Sequence, residues 1–91
     1  MFEIGEIVAV NFVYQNVSHI RPCLILNRHN NDYTALFISK DVEKYKQEDS
    51  SLIIDSSNLE DGILKHKSIV RTHNPCFVFK ELIVNKLHIL I

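Results

Sequence analysis

Tryptophan is missing from this chain, and glycine, proline and cysteine occur only twice each. So few chain-breaking residues exclude flexible linkers and low-complexity segments, and they predict long elements joined by short turns. Two cysteines exclude a disulfide-dense scaffold. Cys23 and Cys76 each sit inside an apolar, strand-like run, and the N-terminus does not combine a basic start, an apolar middle and a small-residue cleavage site. The expectation is therefore two buried thiols in a cytoplasmic protein. No apolar run approaches the roughly 20 residues a membrane helix needs; "IVAV" and "CLIL" are typical. The five histidines show no C-x-x-C, H-x-x-x-H or H-E-x-x-H spacing, so neither a metal site nor a cofactor is expected.

Charge of one sign is also missing over long stretches. From Ile7 to Asn31 there are two arginines and no acid, and from Gly62 to Lys80 three lysines and one arginine and no acid. From Asp41 to Asp61, seven acids face only Lys44 and Lys46. The plainer account is a solvated acidic loop beside ordinary surface; the sharper one is a cationic face for a polyanion, because local potential rather than the net charge of −1 steers binding.

What is present is strand. Ninety-one residues with 46% hydrophobic and 23% charged composition make one globular domain, 1–91. "EIVAVNFVY" (6–14) is rich in β-branched and aromatic residues and too short for a buried helix. "VSHI" is read as a turn into "RPCLILNRH", with Pro22 as the first residue of that strand. "NND" (30–32) turns the chain into "YTALFISK" (33–40). "DVEKYKQEDSS" allows one helical turn capped by Asp41, "LIID" (52–55) is a short strand, and "SSNLEDG" is a brief serine-capped helix stopping at Gly62. "SIVRTHNPCFVF" (68–79) is a strand bent near Asn74-Pro75; "KELIVN" allows a helical turn before "KLHILI" closes the chain. Five or six short strands with one or two short helices predict a mainly β protein, a small curled antiparallel barrel.

Several residues stand out chemically. Lys65, Lys67 and Arg71 surround Ser68, a combination suited to gripping phosphates. Tyr14, near the first loop, offers an aromatic face for stacking, whereas Phe12 fits the core better. Arg21-Pro22 places a permanent charge at the mouth of an aliphatic run.

In order along the chain, "GEIVAVNF", "IRPCLIL", "FISK", "DGILKHKSIVRT" and "LHIL" resemble the PemK/MazF family of toxin endoribonucleases. The resemblance implies an SH3-like barrel of the PemK/MazF/CcdB-like kind that forms a homodimer, cuts single-stranded RNA without metal and is neutralised by a cognate antitoxin. It implies that Arg21 and Ser39 act on the scissile phosphate, Ser39 standing where relatives carry threonine and so lacking the methyl group that restricts the rotamer. His88 stands where relatives commonly have glycine, and the sequence ends at Ile91 where they continue into a helix. His19, two residues before Arg21, is the acid/base candidate because imidazole titrates near neutrality; His66, His73 and His29 are weaker ones. The plainer account of Arg21 is a rim arginine paired with Glu6. The competing function is a degenerate relative that binds RNA, an antitoxin or another protein without cleavage.

Overall fold

Left-handed backbone at Gln15 and Asn16, with φ of 50° and 63°, turns β1 (Glu6–Tyr14) directly into β2 (Val17–His29). This is the two-residue hairpin geometry that matches strand twist. "VSHI" is therefore strand and not turn: Tyr14 pairs with Val17, and the ladder runs unbroken to Ile7 opposite Leu24. Pro22 correspondingly lies well inside β2, paired with Ala9. It is tolerated there because β2 is paired on one side only at that point, its pairing to the next strand beginning at Cys23.

The computed structural model describes residues 1–47, 52–62, 64 and 66–89. After a turn at Asn30 (φ 58°) come β3 (Asp32–Ser39), α1 (Val42–Tyr45), β4 (Leu52–Ile54), a 3₁₀ turn (Ser56–Asn58), β5 (Ser68–Phe79), a second 3₁₀ turn (Lys80–Leu82) and β6 (Ile83–Ile89). Asp41 caps α1 as its position suggests, its carboxylate accepting from Lys44 N at 3.3 Å. The first 3₁₀ turn is capped by Asp55 and not by serine: Asp55 accepts from Ser57 N, and Asn58 Oδ1 accepts from Asp55 N, each at 2.9 Å. No helix among the described residues is long and apolar enough to cross a membrane.

The sheet order is β4-β5-β3-β2-β1-β6, antiparallel throughout, curled into a half-barrel. Neighbouring residues go to opposite faces, and both faces are covered. Ile7, Leu24, Leu36, Ile38, Ile54, Leu59 and Val70 form one core cluster. Val8, Val10, Cys23, Ile25, Tyr33, Ala35 and Val78 form the other. This double burial is why "IVAV" and "CLIL" are unbroken apolar runs where a sheet wet on one side would alternate.

Among the described residues no ladder joins the two edge strands, β4 and β6. Instead the segment after β4 reaches β6: Glu60 N donates to Ile89 O at 2.7 Å, and Ile89 N donates to Asp61 Oδ1 at 2.9 Å. Gly62 has φ +72°, and a Cβ there would stand 3.0 Å from the His88 ring, so the left-handed turn and the imidazole lie directly against each other. The β6 edge is further blunted by register shifts between Ile7/Val8 and Ala9/Val10 along its pairing with β1.

Both cysteines are free, Cys23 buried and Cys76 half-buried. The hydrogen bond with Cys76, then burial, push the Cys23 thiol far up from its usual range. Since the thiolate is the reactive form, a thiol-disulfide reagent at pH 8 is expected to modify one site, Cys76, in the native protein and both sites in denaturant. Equal native rates at the two cysteines, read by peptide mapping, would contradict this placement.

Candidate active site

The last pair joining β2 to β3 is Cys23 with Phe37. Beyond it the strands part. β2 continues against β1, Arg21 opposite Val10, while β3 continues against β5, Ser39 opposite Ile69. A groove of about 710 Å³ opens in the fork, and Arg21 and Ser39 line it from its two arms. Its apolar floor is anchored in both cores: Leu64 packs on the first cluster and Phe37 on the second, and both face the groove. Phe12 backs Phe37 with ring centroids 5.1 Å apart, the core role its sequence favours.

β5 supplies the far wall through a large bulge. Leu36 pairs with Pro75 and Ile38 with Val70, so residues 71 to 74 all stand opposite Phe37. Extra residues on one strand bend it and re-aim its side chains. The bend expected near Asn74-Pro75 is this bulge, and it brings Arg71 into the groove lining. The Arg71 guanidinium lies 3.9 Å from the Tyr45 ring centroid, inside cation–π range.

Hydrogen bonding distinguishes the side chains. Ser39 Oγ accepts from Asp41 N at 3.0 Å, which orients the oxygen and leaves its O–H to donate elsewhere. Ser68 is buried and its hydroxyl donates to His66 O at 3.0 Å. Ser68 nevertheless lines the groove beside His66. Arg21 is exposed, with Nη1 donating to Ile20 O at 3.1 Å. Glu6, the acid weighed as its partner, is buried and bound instead by Lys86 at 3.4 Å, and no carboxylate among the described residues pairs with Arg21.

Among the described residues, Arg21, Lys40, His66 and Arg71 line the groove with a single acid, Asp41, whose carboxylate is engaged in capping α1. A site of this composition concentrates anions. Among the described residues no group of three or more His, Cys, Asp or Glu side chains stands together as a metal would require.

Not every candidate converges. His19 pairs with Phe12, two positions further along β2 from Arg21, and does not line the groove. Tyr14 is exposed at the β1–β2 tip, also away from it. Lys67 is exposed outside the lining, and Lys65 lies outside the described residues. Conversely, Tyr45, Lys40 and His66 do line it. The first two carried no sequence signal of their own, and His66 was one imidazole among five.

Comparison of the chain with protein-family models and with curated proteins finds no match.

Proposed function

We propose that this protein is a metal-independent endoribonuclease of the PemK/MazF kind that cleaves single-stranded RNA in the cytoplasm, acts as a homodimer and is held in check by an antitoxin. The observation that carries the proposal is the meeting of Arg21 and Ser39 in one cationic groove, at the fork between β2 and β3. In-line attack by a ribose 2′-oxygen on the adjacent phosphorus forms one P–O bond and breaks the bond to the 5′-oxygen. The attacking hydroxyl loses its proton to a base, the departing oxygen takes one up, and a cyclic phosphate and a 5′-hydroxyl remain. Charge builds on the non-bridging oxygens. A guanidinium meets two of them with one planar fork, where a lysine offers a point charge. The Ser39 O–H supplies a further donor from the opposite arm.

Proton transfer falls to an imidazole in this reading, since arginine stays charged at any working pH. His66 is the histidine among the groove-lining residues, and it takes that role in place of His19. The competing reading is a module of the same fold that binds RNA, an antitoxin or another protein without cutting.

Purified protein incubated with a long single-stranded RNA in excess chelator is expected to give discrete cut sites by primer extension, with cyclic-phosphate ends, while DNA of the same sequence is bound and left intact. Intact RNA across varied sequences and salt concentrations, with binding retained, would establish the module instead.

A further inference from the structure

On one side β5 pairs with β3 from Pro75 to Phe79; on the other, β4 covers only Ser68, Ile69 and Val70. Past the bulge, the outer edge from Cys76 to Phe79 therefore meets no strand among the described residues. In an antiparallel ladder alternate residues turn both N–H and C=O away from the neighbour, so this edge holds a short row of unused backbone donors and acceptors. Such edges are ordinarily shielded by charge, proline or a bulge. Pro75 and the bulge stop the row at one end and the 3₁₀ turn at Lys80 stops it at the other, but "CFVF" between them carries none of these devices. Phe77 and Phe79 instead stand on one face of the edge, 55% and 52% exposed, with ring centroids 5.4 Å apart. Phe77 is stacked on His29, whose ring lies at 21° to it and whose Nε2 is 2.9 Å from Thr34 Oγ1. Val78, between the two rings in sequence, is buried in the second core cluster, which fixes the strand that presents them.

We propose that the Cys76–Phe79 edge is a docking site for a short extended peptide of another protein, which joins the sheet as a strand beside β5 and lays alternate apolar side chains on Phe77 and Phe79. The site is independent of the nuclease reading, since none of its residues lines the groove. Three observations select this occupant. The fold already seats a three-residue strand, β4, on the same edge at Ser68–Val70, so an added strand would continue an existing row. The open row matches a peptide backbone, with hydrogen bonds supplying affinity and alternate side chains supplying specificity; a nucleic-acid strand has no such alternation of N–H and C=O. The row is also too short for a second copy of the chain: four residues, 76–79, cannot supply the roughly 800 Å² per partner of a stable interface.

The test uses an acetylated peptide of alternating valine and threonine, N-methylated on every second residue so that it has one hydrogen-bonding edge and cannot stack on itself. With this peptide in excess, amide exchange read by NMR is expected to slow about ten-fold or more at alternate residues of Cys76–Phe79 and to stay unchanged in β4 and β6. A control peptide methylated on every residue is expected to give no protection. Phe77→Lys is expected to remove the protection and keep the fold, because Phe77 is exposed and outside both core clusters. No protection by the first peptide, equal protection by the control, protection that maps to β6 instead, or a Phe77→Lys variant that responds like wild type would each overturn the proposal. So would protection of these amides by a 2′-O-methyl RNA in place of the peptide, or protection that grows with protein concentration alone, which would make the occupant a second copy.

Discussion

Replacing Arg21 with alanine is expected to lower the rate of RNA cleavage by about 100- to 1,000-fold, the usual consequence of removing one preorganised donor from a developing oxyanion. The loss should fall on kcat more than on KM, because Lys40 and Arg71 remain in the groove to attract the polyanion. Stability should be nearly unchanged: Arg21 is exposed, and its side chain makes one hydrogen bond, to Ile20 O, and no ion pair among the described residues. Arg21→Lys should recover only a small part of the activity, since a point charge lacks the two-pronged geometry. The measurement is a single-turnover time course for wild type and both variants in excess chelator, with melting curves alongside. An alanine variant that cuts within a factor of three of wild type would remove Arg21 from the chemistry and with it the main support for the nuclease.

The long strands were legible because their residues leave little choice. β1 (Glu6–Tyr14) and β5 (Ser68–Phe79) fall where β-branched and aromatic residues accumulate. The misreading of "VSHI" has a physical cause: Gln15 and Asn16 take left-handed backbone without the glycine that usually announces such a turn. Arg21 and Ser39 are legible through the family resemblance and Arg71 through its charge near Ser68, and all three line the groove. His19 is a candidate by its nearness to Arg21 in sequence and Tyr14 by its ring near the first loop, and in a strand each residue advances about 3.3 Å. Two positions along β2 are enough to carry His19 out of the groove that Arg21 lines. Tyr45 was invisible for the opposite reason. The residue it meets, Arg71, stands on a bulge in β5, where residues 71 to 74 face one residue of β3, and no periodicity in the sequence encodes that offset.

Truncating Ile54 to alanine is expected to cost about 3 kcal/mol of stability, in the middle of the range for large-to-small changes in a packed core. For a domain of this size that corresponds to a fall in Tm of about 10–20 °C. Ile54 is 1% exposed and sits in the first core cluster beside Leu59 and Val70. Its strand, β4, is an edge of three residues, so hydrogen bonding to β5 holds it weakly and this one side chain supplies most of its anchorage. The neighbouring Leu52 is 53% exposed and serves as the control: Leu52→Ala should shift stability by less than about 0.5 kcal/mol. The damage should also be local in pattern. β4 leads into the segment that ties Glu60 and Asp61 to Ile89, and Leu64 packs on the same cluster while lining the groove. Hydrogen exchange should therefore quicken first at the amides of β4, residues 68–70 of β5 and the end of β6, with the β1–β2 ladder protected longest. Because the groove floor rests on that cluster, RNA affinity should fall with the local opening before the protein unfolds globally. A loss below 1 kcal/mol, or exchange that rises uniformly across all strands, would mean that the first cluster does not anchor β4 and the groove in the way the packing implies.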